Sequence, residues 1–265
     1  MIITKQSGAL DYLAAEGISA PHAFTTRLGG VSTGHLSSMN IGTSRGDDPE
    51  NVLKNYGILG NALGFDVHDL VLSRQTHSDI VRAVDGGCAG AGLFKAPLPE
   101  CDGLITNTPG LALVVFTADC TPILFHDPVT GAVGAAHAGW RGTASAIAAR
   151  TVEAMEREYG ARPENIHAAI GPNIGPCHFA CDRDVPDAML RAFGEEVRPW
   201  LRQEGSKYFP DLKAINGWIL QKAGVTHIEI SDACTLCQPQ RFWSHRITGA
   251  SRGSQGAVIV REEHP

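Results

Sequence analysis

The sequence has no hydrophobic run long enough to cross a membrane and no excess of positive charge. Its longest apolar segment, residues 111–116, has the length of a strand, whereas a membrane helix needs about 18 to 20 apolar residues. The formal net charge is −6 at pH 7, and non-specific binding to nucleic acid needs a basic surface. We therefore expect neither a membrane nor a nucleic acid among the partners of this chain.

The N-terminal residues also lack the pattern of a signal peptide. Residues 1–7 contain no basic segment followed by an apolar run. The seven cysteines are an odd number, which is more typical of reduced thiols than of a disulfide framework. These features predict a cytoplasmic protein. With 265 residues, 43% of them hydrophobic and 19% charged, the chain has a globular composition and can bury a sizeable core.

Hydrophobic patterns predict strands and helices mixed along the whole chain. Asp48 and Pro49 mark the start of a helix that Gly64 ends, and the almost wholly apolar residues 110–117 indicate a central strand buried on both faces. Further helices are expected at 143–159, 195–201 and 211–223, and strands at 23–27, 70–73, 80–84, 122–126, 133–136, 166–170, 227–230 and 257–260. No proline-rich linker divides the chain, which favours one α/β or α+β domain over residues 1–265 with a mixed sheet.

Three residues that can bind a metal lie where predicted strands meet loops: His77, Cys120 and His137. Two imidazoles and one thiolate leave a fourth position for water or substrate, as in a catalytic zinc site. Strand ends are rigid supports, and the adjoining loops can form a pocket mouth. The alternative is two hydrogen-bonded histidines and a cysteine that packs as a small apolar residue.

The residues after His137 suggest an anion site beside the metal. Gly139-Trp140-Arg141-Gly142 leads into the predicted helix, whose free N–H groups and positive dipole end favour a negative charge. Arg141 would add a cation. The alternative is an ordinary glycine-rich turn with Trp140 in the core.

Several motifs occur in an order that resembles the YfiH-type laccase-domain family, the purine nucleoside phosphorylases once described as multicopper polyphenol oxidoreductases. The resemblance covers about residues 23–260 and rests on Thr25-Thr26-Arg27-Leu28-Gly29-Gly30, Ser37-Ser38-Met39-Asn40, Gln75-Thr76-His77, Cys101-Asp102-Gly103, Ala118-Asp119-Cys120, His137-Ala138-Gly139-Trp140-Arg141-Gly142, Ile170-Gly171-Pro172 and Asp232-Ala233-Cys234-Thr235.

The resemblance implies a YfiH-like, four-layer α/β/β/α fold with mixed sheets. It implies that His77, Cys120 and His137 hold zinc and act in catalysis. It also implies phosphorolysis of adenosine, inosine and methylthioadenosine, with adenosine deamination as a second activity. Purine nucleosides and phosphate would then be the partners of the chain, and the oligomeric state is left open.

Five further residues are candidates for the substrate pocket: Arg27, Asn40, Arg45, Gln75 and Arg141. Asn40 and Gln75 are suited to bonding a purine edge or ribose hydroxyls, and the arginines are suited to phosphate. The alternative for each arginine is a solvated surface charge. Two segments depart from the family's pattern and bear on substrate preference: Cys177-His178-Phe179 replaces a run with glutamate, and Ser251-Arg252-Gly253 replaces Thr-Gly-Arg.

Other functions fit the same residues. A cysteine hydrolase would use Cys120 as nucleophile with His137 or His77 as base. A copper-dependent polyphenol oxidoreductase would bind copper, although such enzymes need histidine clusters and the eleven histidines here are scattered. A non-enzymatic alternative is a structural metal bound by the cysteine-rich segments, with ligands from Cys177, His178, Cys181, Cys234 and Cys237.

Overall fold

Residues 1–262, the part of the chain that the computed structural model describes, form two large sheets, a hairpin and helices. The strands are β1 (Ile2–Ser7), β2 (Leu10–Ala15), β3 (His22–Thr25), β4 (Leu70–Leu72), β5 (Val81–Ala83), β6 (Gly103–Thr106), β7 (Ala112–Thr117), β8 (Thr121–His126), β9 (Val133–Ala138), β10 (His167–Ile170), β11 (Leu201–Glu204), β12 (Lys207–Pro210), β13 (His227–Ile230) and β14 (Gln255–Val260). The α-helices are α1 (Pro49–Leu63), α2 (Trp140–Ala144), α3 (Ile147–Tyr159), α4 (Asp184–Phe193), α5 (Leu212–Lys222) and α6 (His245–Thr248).

The two large sheets each have six strands and are both mixed. The first has the order β1-β2-β3-β14-β7-β4, and the second has the order β13-β10-β8-β9-β6-β5. The pairs β4–β7, β5–β6 and β10–β13 are parallel, and the other neighbours are antiparallel.

The sheets pack face to face, and helices cover their outer faces. Leu113 and Val115 of β7 pack against Leu124 of β8 in the core between the sheets. Val114 points the other way and joins Leu59 of α1 in the outer core of the first sheet. Helices α3 and α5 cover the second sheet. This arrangement confirms the expected α/β/β/α order of layers and the strand buried on both faces.

The boundaries of α1 agree with the prediction because local chemistry sets them. Asp48 accepts a hydrogen bond from the backbone N–H of Glu50, Pro49 begins the helix, and Gly64 ends it with a φ of 80°. The helix predicted at 143–159 is instead divided into α2 and α3. The break lies at Ala146, whose φ of 56° is left-handed.

The hydrophobic patterns of the sequence do not predict several elements that the structure contains: β1, β2, β6, the β11–β12 hairpin and α4. None of the helices formed by residues 1–262 has the length and hydropathy needed to cross a membrane.

The strand order explains how distant segments meet. The chain passes from the first sheet to the second after β4 and again after β7, and these two strands are parallel neighbours. The carboxyl ends of β4 and β7 therefore lie side by side, and both crossing segments start there. In the second sheet, Thr121 at the start of β8 pairs with Ala138 at the end of β9. Gly103 at the start of β6 pairs with Ala136 of β9.

Candidate active site

His77, Cys120 and His137 come together where the chain crosses between the sheets. Their donor atoms all lie within 4.8 Å of one another, and Cys120 Sγ is 3.8 Å from His77 Nε2. The two imidazole rings are 4.9 Å apart between centroids and meet edge to face. Two nitrogens and one sulfur at these separations fit a divalent metal that favours nitrogen and sulfur ligands.

His137 lies inside β9, one residue before its end, and the buried carboxylate of Asp102 orients its ring. The His137 Nδ1 atom lies 2.8 Å from Asp102 Oδ1. When Nδ1 donates to this carboxylate, Nε2 is the nitrogen left to bind a metal, which is the usual arrangement behind a metal-binding histidine. Asp102 was not among the candidate site residues, although Cys101-Asp102-Gly103 was one of the family motifs.

The same carboxylate shapes the loop that carries His77. The backbone N–H groups of Thr76, His77 and Ser78 all donate to Asp102, at 3.0, 3.1 and 2.8 Å. His77 itself has a φ of 62°, a backbone conformation that residues other than glycine rarely adopt. Asp102 thus stabilises this conformation and links His77 to His137, two of the three donor residues.

A glycine keeps the space between the donors open. A Cβ atom at Gly139 would lie 2.8 Å from His77 Cδ2 and 3.2 Å from Cys120 Sγ. Any side chain at this position would displace the donors, so the close approach of the backbone requires glycine.

The neighbouring charges and hydrogen bonds shift the pKa values of Cys120 and His137. Burial opposes ionisation of the Cys120 thiol, but the imidazoles of His137 and His77 outweigh it and lower the pKa of Cys120 to about 6. Burial also opposes protonation of His137, but Cys120 and Asp102 outweigh it and raise the pKa of His137 to about 9. The cysteine therefore favours the thiolate, which is the form that binds metals and the form that attacks electrophiles.

Cys120 follows a turn that residues more than 100 positions away in the sequence hold in place. Asp119 has a φ of 88°. Its carboxylate accepts hydrogen bonds from Thr235 Oγ1 at 2.6 Å, from Ser244 Oγ at 3.0 Å and from the backbone N–H of Arg246 at 2.7 Å. These three bonds hold an unfavourable backbone conformation directly before the thiol.

The three donors open into a cleft of about 350 Å³, a volume typical of small-ligand sites. Three arginines line it with them: Arg45, Arg74 and Arg252. Ser254 Oγ lies between two of the guanidinium groups, 3.1 Å from Arg45 Nε and 3.4 Å from Arg252 Nη1. Burial and the charge of Arg45 lower the pKa of Arg252 to about 10, so Arg252 remains a cation near neutrality. In the sequence, Arg252 is distinctive only as part of the segment that departs from the family's pattern.

Gln75 also lines the cleft, but its amide is bonded to the end of β7. Its Oε1 accepts from the backbone N–H of Phe116 at 2.6 Å, and its Nε2 donates to the carbonyl of the same residue at 2.8 Å. Ser73 donates a further hydrogen bond to Oε1. The side chain therefore fixes the cleft wall, which includes the half-buried ring of Phe116.

The structure does not place the other three pocket candidates along the cleft. Arg27 lies 3.8 Å above the ring of Trp243. Arg141 is exposed and lies 4.2 Å above the ring of Trp140. Asn40 is fully buried, and its amide bonds the backbone of residues 42 and 254 and the carboxylate of residue 47.

The family model described as multi-copper polyphenol oxidoreductase laccase matches residues 21–262. The chain belongs to this family. This confirms the resemblance found in the sequence, and the match spans every donor and arginine of the cleft.

Several relatives in this family are similar over nearly their whole length. A purine nucleoside phosphorylase of Deinococcus radiodurans is 40% identical over 253 residues, which are 94% of this chain and 92% of that protein. The purine nucleoside phosphorylase YlmD of Geobacillus stearothermophilus is 38% identical and covers 90% of this chain and 89% of its own. The crystal structure of YfiH from Bacillus licheniformis superposes with a TM-score of 0.92 at 34% identity, covering 98% of this chain and 99% of that one.

Proposed function

We propose that the chain is a zinc-dependent purine nucleoside phosphorylase that acts on adenosine, inosine and methylthioadenosine, with residues 1–265 as one catalytic domain. The observation that carries the proposal is one cleft that holds both the Cys/His cluster and three arginines, of which Arg45 and Arg252 both contact Ser254. The names of the relatives, which are similar over about nine-tenths of their length, support the reaction class.

Arg45 and Arg252 are the groups suited to bind phosphate. Guanidinium groups match the geometry of phosphate oxygens and bind them through paired, charge-assisted hydrogen bonds. In phosphorolysis a phosphate oxygen bonds to the ribose C1′ as the C1′–N9 bond breaks, and the purine leaves with the bonding electrons. Two cations that fix the phosphate beside the cleft wall would align this attack.

His77, Cys120 and His137 would hold the zinc, with Asp102 as the hydrogen-bond acceptor behind His137. When bound, zinc supplies a Lewis acid and increases the acidity of a coordinated water. The second proposed activity, adenosine deamination, adds water at the purine C6 and releases ammonia from the same carbon. Both reactions need the purine beside these donors, where Phe116 offers an aromatic face for the base.

The reaction can be tested with purified protein that is stripped of metal and reloaded with zinc. We expect adenine release from adenosine and hypoxanthine release from inosine, each only in the presence of phosphate, and inosine formation from adenosine without it. Liquid chromatography separates these products. Unchanged product release by the double variant His77→Ala, Cys120→Ala would refute the proposal.

The phosphate site has a matched test. Replacing Arg252 with Met removes the cation but keeps most of the apolar stem. Since hydrogen bonds to charged groups contribute about 1.5 to 3 kcal/mol, the KM for phosphate should rise at least about 10-fold. Arg141→Met, at an exposed position outside the residues that line the cleft, serves as the control. Equal KM values in the two variants would exclude Arg252 from phosphate binding.

A cysteine hydrolase remains the second candidate because one specific observation favours it. Asp102, His137 and Cys120 form a carboxylate–imidazole–thiolate chain, the arrangement of an activated cysteine nucleophile. Metal analysis separates the two functions. Stoichiometric zinc with an unreactive Cys120 supports the phosphorylase, whereas a metal-free, active protein that iodoacetamide inactivates at Cys120 supports the hydrolase.

A copper-dependent polyphenol oxidoreductase is the remaining candidate, and it rests on the description of the family model alone. Within residues 1–262, those lining the cleft include no methionine, the soft axial ligand of His₂Cys copper sites that transfer electrons. Copper in the purified protein together with phenol oxidation would support this function over the phosphorylase.

A further inference from the structure

A second group of cysteine and histidine side chains lies outside the cleft. Cys177 and His178 follow β10, and Cys234 and Cys237 follow β13. Because β10 and β13 are parallel neighbours, the segments that follow them leave the sheet side by side. A backbone bridge between Asn173 and Cys234 extends this pairing beyond the strands. The four donor atoms all lie within 4.8 Å of one another.

Four of the six separations between these donors are close to the edges of a metal tetrahedron, and the other two are within 4.8 Å. Bonds of about 2.3 Å to sulfur and 2.0 to 2.1 Å to nitrogen at tetrahedral angles place two sulfurs about 3.8 Å apart, and sulfur and nitrogen about 3.6 Å apart. Cys177 Sγ lies 3.6 Å from Cys237 Sγ. His178 Nδ1 lies 3.2, 3.7 and 3.5 Å from the Sγ atoms of Cys177, Cys234 and Cys237.

We propose that Cys177, His178, Cys234 and Cys237 form a structural zinc site that is separate from the cleft. Four protein ligands of this kind close the coordination shell, which distinguishes a structural zinc from a catalytic one. The two sites share no ligand. Cys181 is not part of this set, because its Sγ contacts the carbonyl oxygen of Tyr208 at 3.4 Å.

A backbone N–H group and a lysine lie close to the sulfur atoms of this cluster. The backbone N–H of Gly175 donates to Cys234 Sγ at 3.2 Å. A Cβ atom at Gly175 would lie 3.3 Å from Cys177 Sγ and 3.6 Å from Cys234 Sγ, so the backbone packs directly against the thiols. Three thiolates and one Zn²⁺ leave a single negative charge. Lys213, which is 7% exposed, donates to the carbonyls of residues 231 and 233 and brings a compensating positive charge close to Cys234.

The second site would act on the first through one residue. Thr235 lies between the two cysteines of the second segment and donates to Asp119, which precedes Cys120. A zinc that fixes both ends of residues 234–237 would therefore fix the hydrogen bond that holds the Asp119 turn. The second zinc would have a structural role only, and the cleft would keep His77, Cys120 and His137 as its own ligands.

The full chain carrying His77→Ala and Cys120→Ala provides the test, because this background lacks two donors of the cleft. Purified under reducing, anaerobic conditions, this variant should retain one equivalent of zinc by elemental analysis. Adding Cys177→Ser and Cys237→Ser should remove that zinc, whereas adding Cys181→Ser should not. A zinc-free background variant, or zinc unchanged after the two added serines, would overturn the proposal.

Cobalt gives a readout that does not depend on the folding of the serine variants. Co²⁺ added to the metal-free background variant should give visible bands of tetrahedral geometry and a strong thiolate-to-cobalt charge-transfer band. Three thiolates should make that band stronger than a single thiolate would. Absence of thiolate bands, or a Cys177–Cys237 disulfide found by mass spectrometry in the reduced preparation, would contradict the site.

Discussion

The two cysteine–histidine clusters of this molecule differ in donor number, in sulfur content and in support. The cluster in the cleft has one sulfur and two nitrogens, and the buried carboxylate of Asp102 orients one of its histidines. The cluster outside the cleft has three sulfurs and one nitrogen on two loop segments, with Cys177, His178 and Cys237 exposed. Three donors leave a position for chemistry, whereas four donors close the coordination shell.

This comparison shows how the surroundings of each cluster indicate whether its role is catalytic or structural. In the cleft, the donors lie beside cations that can bind an anionic reactant, and their positions depend on the register of β6, β8 and β9 in the second sheet. In the other cluster, each loop supplies two donors from residues close in sequence, so one strand pairing is enough to assemble it.

The largest difference should come from removing the single sulfur of the cleft. Loss of a hydrogen-bond partner behind a metal ligand costs about 10- to 100-fold in affinity or activity, so loss of a ligand should cost more. We expect Cys120→Ser to lower kcat/KM for phosphorolysis more than about 100-fold. Cys88→Ser, a half-buried thiol outside both clusters, should keep its activity. Similar activities in the two variants would remove Cys120 from the mechanism.

Asp102→Asn should give the next largest effect, because an amide cannot accept all of the hydrogen bonds that the carboxylate accepts. The cost in zinc affinity at the cleft should be about 10- to 100-fold, measured by competition with a chromogenic chelator. The zinc of the second cluster should remain bound, and this separates the sites within one sample. Asp187→Asn, a half-exposed carboxylate paired with Arg183, is the control. An unchanged affinity in Asp102→Asn would show that the carboxylate does not support the ligands.

The sequence predicted those parts of the fold that local chemistry determines. The capping residues of α1 and the apolar run of β7 specify their elements directly. The missed strand β6 has only four residues, and β1 has a mostly exposed, polar pattern that gives no apolar periodicity. The division between α2 and α3 depends on a left-handed alanine that no composition rule marks.

Family motifs selected the three donors, but the contacts that support them cross the fold. Asp102 meets His137 because β6 pairs with β9, and Arg252 comes close to Arg45 because both contact Ser254, the residue directly before β14. Neither contact has a signature in sequence spacing. For the same reason the sequence did not separate the buried, fully bonded Asn40 from a residue that faces substrate.

Thr235 tests whether the two clusters are coupled. Replacing it with Val preserves shape but removes the hydrogen bond to Asp119, which keeps two other donors. The free energy of unfolding should fall by about 1 to 2 kcal/mol, measured by urea denaturation, and kcat should fall modestly while both zinc equivalents remain. Thr226→Val, at an exposed position, is the control. If Thr235→Val matched this control in both stability and kcat, the proposed coupling would not exist.

The smallest effect should come from a histidine outside both clusters. Burial, together with the nearby positive charge of His167 when protonated, lowers the pKa of His126 to about 4 from its usual 6.5. The folded state therefore favours the neutral ring, so this contribution to stability is present above about pH 6.5 and is lost as the pH falls towards 4. Between pH 7 and pH 5.5 the loss should be about 1 kcal/mol.

His126→Gln removes this titration while it keeps a polar side chain at the end of β8. Urea denaturation at pH 7 and pH 5.5 should show a smaller drop in the free energy of unfolding for this variant than for the parent chain. His35→Gln, at an exposed position, should keep the full drop. Parallel pH profiles for His126→Gln and the parent chain would assign the acid sensitivity to other groups, first to His22, whose pKa is also lowered by burial.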